Sequence, residues 1–371
     1  MKDIFDLPYD LIEIITSRLN IIDYQKFKMS NSLLHLSNVP TLTWEAYQES
    51  CTMNKMNYLK AIPDTTFLDE HRILQLYEFQ QYSILEKLIN RDRITVDVLQ
   101  KLLRMSCKEG NSGMISSLIL KIDPSFKSNE AIQLVCENGH AECLKILMDD
   151  SRVDPTDNSN DALLSAAENG HLECLQLLLQ DDRIDPSVND QYAIQSTAEY
   201  GHWKCTEFLL SDSRVDPSLV DNYAIRKAAD QGHMKCVMVL LKDERVDPTA
   251  LDNYAIRRAS RNGHLNCVEV LINHPLVDPS ALNNFAIGVA SRNGHFRIVS
   301  LLLKDSRVNP AANDNYAIKR AYSNNHNLCV QLLLKHPSVD AAHLTVQDII
   351  TGPAGLTTIS RLINEDSVSL S

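Results

Sequence analysis

Histidine and cysteine recur together along this chain, and both side chains are common zinc ligands. A histidine returns every 31 residues, and at six of seven positions a cysteine follows it three residues later. These pairs are His140 with Cys143, His171 with Cys174, His202 with Cys205, His233 with Cys236, His264 with Cys267, and His326 with Cys329. Imidazole nitrogen and thiolate sulfur bind zinc tetrahedrally, so the pattern first suggests a metal centre.

The spacing of the pairs argues against that metal centre. One pair offers two ligands, whereas a structural zinc ion takes four ligands at about 2.0–2.3 Å. Equivalent residues of adjacent packed helices lie roughly 8–10 Å apart, which also exceeds the ~7 Å limit between the Cα atoms of a disulfide. We therefore expect no metal and no cofactor. The cysteines are interpreted as small buried hydrophobic residues, and the histidines as groups that bond nearby backbone.

The sequence also gives little indication of catalysis, nucleic-acid binding or membrane insertion. The sequence has no glycine-rich phosphate loop, no HExxH and no GxSxG motif, and no nucleophile stands apart from the repeating positions, so no enzymatic activity is expected. The net charge of −12 disfavours binding to nucleic acid through bulk electrostatics. No apolar run approaches the roughly 18 residues of a membrane-spanning helix, so no membrane partner is expected.

Composition indicates a folded protein of a reducing compartment. Hydrophobic residues make up 44% and charged residues 23% of the 371 residues, values that exclude a disordered chain. The first fifteen residues carry four acids, unlike a secretory signal peptide. Nine cysteines without an export signal favour a cytoplasmic location, with the nucleus left open.

The 31-residue period defines the elements that position these side chains. Gly-His recurs at Gly139, Gly170, Gly201, Gly232, Gly263 and Gly294, and Asp-Pro or Asn-Pro at Pro124, Pro155, Pro186, Pro217, Pro248, Pro279 and Pro310. In residues 251–281, Asp252 belongs to the residues that cap helices, so a first helix should start just after it. Gly263 permits a turn, a second helix should run from about Leu265 to Ile272, and Pro279 ends the unit in extended chain.

A helix pair of this size cannot bury its apolar face alone and must stack on copies of itself. The pattern of Ala-Ala, Gly-His and an aliphatic second helix in NYAIRKAADQGHMKCVMVLL resembles the ankyrin repeat. The family length is 33 residues, so these units are two residues shorter, and Tyr-Ala-Ile-Arg replaces the family's Thr-Pro-Leu-His. The resemblance implies an all-α solenoid of about nine or ten helix-turn-helix units.

Residues 1–40 lack the period and predict three short amphipathic helices. Leu-Pro followed by an acidic-Leu step and paired isoleucines resembles the F-box, a module that docks on the Skp-type adaptor of cullin–RING ubiquitin ligases. The resemblance implies adaptor contacts by Leu7, Pro8, Leu11, Ile14, Ile15 and Leu19. A small helical bundle that merely caps the solenoid is the alternative.

The predicted organisation follows from these boundaries. It comprises an F-box-like module (1–40), a helical linker (41–66), degenerate N-terminal repeats (67–124), seven clear repeats (125–341), and a C-terminal capping repeat and tail (342–371). We expect a substrate-recognition subunit of an SCF-type ligase, or else an ankyrin scaffold with no link to ubiquitin.

Positions that differ between copies are candidates for partner binding. Variation concentrates on the first helix, which in the ankyrin family lines the concave groove that receives partners. By position, the groove carries a basic strip of Arg226, Lys227, Arg257, Arg258, Arg261, Arg292, Lys319 and Arg320. Earlier copies carry the acids Glu168, Glu199 and Asp230 there. Arginine suits carboxylate and phosphate, so we expect an acidic or phosphorylated target segment, the alternative being a solvated charged face.

Five arginines in the extended segments form a further repeated set. They are Arg152, Arg183, Arg214, Arg245 and Arg307, each two residues before Asp or Asn. We expect these arginines to form ion pairs along the array.

Overall fold

A computed structural model describes residues 70–92 and 94–339. The F-box-like residues 1–40, the linker 41–66 and the capping segment 342–371 lie outside this part of the chain. The described residues form helices, turns and bends, and no strand occurs among them. They fall into two compact units, residues 70–103 with 116–122, and residues 104–115 with 123–339. Within residues 70–92 and 94–339, no helix is long and apolar enough to cross a membrane.

Four helices precede the regular repeats. They are α1 (Glu70–Glu78), α2 (Tyr82–Asn90), α3 (Val96–Glu109) and α4 (Ser112–Ile119). Gly110 joins α3 to α4 at φ +75°, the left-handed conformation that the glycines of the regular copies also adopt. Helix α2 lies within the segment predicted to hold degenerate repeats (67–124).

Seven helix pairs follow, one for each 31-residue copy. The first helices are α5 (Phe126–Asn138), α7 (Asp157–Glu168), α9 (Val188–Glu199), α11 (Leu219–Gln231), α13 (Ala250–Asn262), α15 (Ala281–Arg292) and α17 (Ala312–Ser323). The second helices are α6 (Ala141–Met148), α8 (Leu172–Leu178), α10 (Trp203–Leu210), α12 (Met234–Leu240), α14 (Leu265–Ile272), α16 (Phe296–Leu302) and α18 (Asn327–Leu334). Each first helix packs against the first helix of the next copy, so the pairs stack as the period predicts.

The core of one copy lies between α13 and α14. Ile256 and Ala259 on α13 and Cys267 and Leu271 on α14 are fully buried, because neighbouring copies cover them on both sides. The bounds predicted for the second helix, Leu265–Ile272, are confirmed. Val270 and Ile272 of α14 are half-buried.

The start of the first helix differs from the prediction. Leu251, Asp252 and Asn253 all have left-handed backbone angles, with φ between 52° and 59°, so right-handed helix begins only at Tyr254. The Thr249 side chain before this turn makes no capping bond. The Asp252 side chain accepts no hydrogen bond from any described residue, so its predicted capping role is wrong. The left-handed region costs ordinary residues roughly 1–2 kcal/mol each, whereas Asn and Asp tolerate it best.

A buried asparagine explains why this turn is kept. The Asn253 side chain is 8% exposed, and its Oδ1 accepts a hydrogen bond from the Asp278 N–H at 2.8 Å. The same bond joins Asn129 to Asp154 and Asn222 to Asp247. The left-handed turn thus directs the asparagine side-chain amide inward, where its oxygen accepts a hydrogen bond from a backbone N–H of the extended segment that follows.

The repeated histidines join each copy to the one before. The Nε2 atom of His264 lies 3.0 Å from the carbonyl oxygen of Asp230. Equivalent contacts join His140 to Lys108, His171 to Glu137, His202 to Glu168, and His295 to Arg261. The prediction that these rings bond backbone is confirmed, and the partner carbonyl belongs to the preceding first helix.

The arginines of the extended segments pair differently from the prediction. Arg245 binds Asp243, two residues earlier in the same turn, at 2.6 Å, and its Nη1 donates to the carbonyl of Val215 at 2.8 Å. Arg214 and Arg307 repeat this arrangement. The contact along the array is therefore made to a backbone carbonyl, because the bidentate carboxylate lies in the arginine's own turn.

These turns should make stability depend on acid pH. The hydrogen bond from the Arg245 side chain holds the pKa of Asp243 below its ordinary value, aided by the Arg245 N–H and opposed by burial. A lowered folded pKa contributes stability above the unfolded pKa of about 3.9, and this contribution disappears as pH falls through the folded pKa. We expect Asp243→Asn to lower the melting temperature at pH 7 and to have a smaller effect at pH 3. Equal differences at both pH values would contradict the assignment.

Candidate partner-binding surface

The first helices position a column of aromatic rings 31 residues apart. Tyr192, Tyr223, Tyr254, Phe285 and Tyr316 each stand directly after the left-handed turn of their copy. All five rings are partly exposed, because the turn lifts the start of the helix to the surface. We call this set the aromatic column, and it frames most of the predicted basic residues.

Two predicted binding residues lie between successive rings of this column. The guanidinium carbon of Arg226 is 5.7 Å from the Tyr223 ring centroid and 5.2 Å from that of Tyr254. Arg257 lies 5.8 Å from Tyr254 and 5.4 Å from Phe285. Such cation–π contacts contribute about 0.5–1 kcal/mol at exposed sites. Both arginines are half-buried, so part of their function is to hold adjacent copies together.

The same two arginines also bind their own turns. Arg226 donates from Nε to the carbonyl of Asp221 at 2.7 Å and from Nη2 to that of Val220 at 3.0 Å. Arg257 donates to the carbonyls of Asp252 and Leu251 at 2.8 and 2.9 Å. Burial lowers the pKa of Arg257. The fork is thus occupied by backbone oxygens, leaving little of it for a partner.

The residue directly after each of these two arginines forms an ion pair with the preceding copy. Lys227 binds Glu199 at 3.0 Å, and this hydrogen bond raises the pKa of the lysine. Arg258 binds Asp230 through Nε at 2.8 Å and Nη2 at 3.2 Å, and the bond raises the pKa of Arg258. Asp230 is 9% exposed. Glu199 and Asp230 therefore neutralise the charges of Lys227 and Arg258, two members of the basic strip.

The last copy carries two further members of the strip. Lys319 binds Asp314 of its own turn at 2.8 Å. The guanidinium of Arg320 lies 5.1 Å from the ring centroid of Tyr316, and the residue is exposed. Lys319 is therefore paired within its own turn, through a carboxylate and not through the backbone carbonyls that bind Arg257, while Arg320 remains exposed.

Arg261 and Arg292 differ from the other six. Both side chains are exposed, and within residues 70–92 and 94–339 no ion pair or ring contact engages either guanidinium. Their carbonyl oxygens accept bonds from the next copy, from His295 and Asn324 respectively, which fixes the backbone that presents them. Among the eight predicted residues, these two offer the most accessible forks, and their binding role stays a prediction.

The described cysteines are buried, and burial raises the pKa of most of their thiols, the exception being Cys174, whose pKa is lowered by its hydrogen bond with Cys136. In the described chain, Cys107, Cys136 and the six repeated cysteines are free and buried. Burial raises the pKa of Cys143, Cys205, Cys236 and Cys329 to about 11 and that of Cys267 to about 12. A thiol with such a pKa is neutral at physiological pH and is a poor nucleophile or metal ligand. Within the residues that the structure describes, no group of three or more His, Cys, Asp or Glu could hold a metal ion.

The aromatic column was not identified from the sequence as a functional element. Its signal was present, since an aromatic residue and a cation recur three positions apart in several copies. Residues at i and i+3 share one helix face, so a ring and a guanidinium from adjacent copies meet once the copies stack. Gly288 breaks this pattern, because it stands where the two preceding copies have Arg226 and Arg257.

Comparisons with known proteins agree with this geometry. A search of curated proteins gave no match. The family profile described as "Ankyrin repeats (3 copies)" matches residues 102–190, 191–283 and 256–348, which together span about two thirds of the chain. The stacked helix pairs, the glycine turns and the histidine contacts fit that assignment, and the chain belongs to the ankyrin-repeat family.

Proposed function

We propose that this chain is an adaptor that selects a target protein for an SCF-type cullin–RING ubiquitin ligase. Ankyrin repeats imply a protein partner and generally serve as non-enzymatic binding scaffolds. The repeats would bind the target, and residues 1–40 would dock on the Skp-type adaptor. The Leu-Pro and isoleucine pattern of residues 7–19 supports the second step, and such an adaptor would work in the cytoplasm or nucleus.

The target is proposed to carry an acidic or phosphorylated segment. The observation that carries this proposal is the pair of exposed guanidinium groups of Arg261 and Arg292, without ion-pair partners in residues 70–92 and 94–339. They are 31 residues apart, so they occupy equivalent positions of adjacent copies. Two forks at repeat spacing could each bind a carboxylate or a phosphate of one extended segment.

Coprecipitation with a purified Skp-type adaptor tests the ligase step. The full-length chain should retain the adaptor, and Leu7→Ala combined with Pro8→Ala should reduce retention at least roughly tenfold, because both remove apolar contact area. The Arg261→Ala chain is the matched control and should retain the adaptor fully. If the unaltered chain fails to retain the adaptor, the ligase role is refuted.

A scaffold without a ubiquitin link is the second candidate. It is favoured by the stacked repeats, which need no ligase to bind a partner. Under this alternative the adaptor is not retained, whereas reversal of Arg261 and Arg292 still reduces target binding. The two measurements therefore separate the two functions.

A further inference from the structure

The five copies with an aromatic ring differ at the position three residues after it, which is Gln195 in the first of them and Lys319 in the last. Three residues after the aromatic ring, two successive copies have an arginine, Arg226 and Arg257. The next copy has Gly288 at this position. Phe285 and Tyr316 flank Gly288 as Tyr254 and Phe285 flank Arg257. The two rings therefore remain, while the cation that other copies place between them is missing from the sequence.

A cavity of about 200 Å³ lies at this position. It is lined by the rings of Phe285 and Tyr316, by the backbone at Gly288, and by the left-handed turn at Leu282 and Asn283. Among the described residues, those that line the cavity carry no charged side chain. A Cβ atom on Gly288 would lie 2.8 Å from the Tyr316 ring, so the ring rests directly against the glycine backbone. Glycine thus opens the space and also brings the second ring to its edge.

The cavity also retains the carbonyl oxygens that bind an arginine elsewhere. Arg257 donates to the carbonyls of Leu251 and Asp252, and the equivalent residues here are Leu282 and Asn283. In residues 70–92 and 94–339, no side chain donates to the carbonyls of Leu282 or Asn283. Lys319 of the next copy is paired with Asp314. In the described chain the two carbonyls therefore keep their side-chain acceptor positions, and Phe285 beside them is 37% exposed.

We propose that this cavity binds an arginine side chain of the partner protein. The guanidinium group would lie between Phe285 and Tyr316 and donate to the two carbonyls, as Arg257 does one copy earlier. A planar fork with five donors fits two backbone oxygens and two ring faces, whereas an ammonium is a strongly hydrated point charge that fits them less well. The inference rests on the proposed function only in that a protein partner reaches the first helices.

The surroundings specify the partner further. Arg292 follows Gly288 by one helical turn on α15, and its guanidinium is exposed. Residues four apart share a helix face, so one partner segment could reach both. The partner segment should therefore present an arginine for the cavity and an acidic or phosphorylated residue for Arg292.

An NMR titration of the full-length chain with N-acetyl-arginine amide tests the cavity without a known partner. Ring signals of Phe285 and Tyr316, assigned by Phe285→Leu and Tyr316→Phe, should shift saturably. Affinity should be roughly tenfold or more above that for the neutral isostere N-acetyl-citrulline amide and above that for N-acetyl-lysine amide. Equal affinity for citrulline would overturn the cation site, and equal affinity for lysine would overturn the arginine assignment.

Two variants serve as matched controls. Gly288→Arg should abolish the shifts, because the chain then supplies its own guanidinium, and its melting temperature reports whether the copy still folds. Arg257→Gly should create a second saturable site at Tyr254 and Phe285, which a generally weakened fold would not produce. Unchanged shifts in a folded Gly288→Arg chain, or no new site in Arg257→Gly, would refute the inference. Neither result depends on whether the Skp-type adaptor is retained.

Discussion

Gly232→Ala should destabilise the repeats around it by about 1.5–3.5 kcal/mol. Gly232 ends α11 with φ +85°, a conformation that costs a residue with a Cβ roughly 1–2 kcal/mol. That Cβ would also lie 2.5–2.8 Å from the ring of His264. The ring would have to move and lose its contact with the Asp230 carbonyl, which contributes about 0.5–1.5 kcal/mol.

Hydrogen exchange is the suitable measurement, because copies of a repeat array can open locally. Protection in α11 to α14 should fall most. The matched control is Gly113→Ala within α4, where the added Cβ would meet only Asn111 Oδ1, at 3.8 Å. The control should gain about 0.5–1 kcal/mol, since alanine favours helix. Equal loss in both variants would contradict the proposed function of the glycine–histidine contact.

Arg258→Glu should destabilise the array by about 3 kcal/mol, although Arg258 was predicted to bind a partner. The substitution removes both bonds to Asp230 and places a second carboxylate beside it. Asp230 is buried, and breaking a buried ion pair typically costs about 3–5 kcal/mol. The partial exposure of Arg258 places the expected loss at the lower end of this range.

Arg261→Glu, three residues further along α13, is the matched comparison. The exposed Arg261 side chain has no ion-pair partner in the described part of the chain, so its reversal should change the free energy of unfolding by less than about 0.5 kcal/mol. Urea unfolding of both variants at equal ionic strength measures the difference. Similar stability of the two would show that Arg258 and Asp230 do not join the copies.

The repeat itself could be predicted from the sequence because its signals are local. Gly263 and Pro279 mark ends that any single copy shows, and the period fixes how many copies follow. Burial of Ile256 and Cys267 also follows from helix periodicity within one copy. These features depend on residues close together in the chain, which is why the second helix was predicted to the residue.

Contacts between copies could not be predicted from the pattern of one copy. Asp252 was predicted to cap the helix because aspartate is a common capping residue. The adjacent Asn253 instead fixes the left-handed turn, because its side chain accepts a hydrogen bond from a backbone N–H 25 residues later. Arg258 looked available because its partner Asp230 lies 28 residues earlier. The carbonyl that binds Arg245 lies 30 residues earlier. Each of these depends on the register of stacked copies.

Charge reversal at Arg261 and Arg292 tests the central claim, that the first helices bind the partner, most directly. Quantitative affinity capture should compare two double variants. One combines Arg261→Glu and Arg292→Glu, and the matched control combines Arg297→Glu and Lys304→Glu. Arg297 and Lys304 are exposed and lie on or directly after the second helix α16. We expect the first pair to lower recovery of the same target proteins roughly tenfold or more, and the second pair to leave it unchanged. Equal recovery with both folded variants would contradict the account.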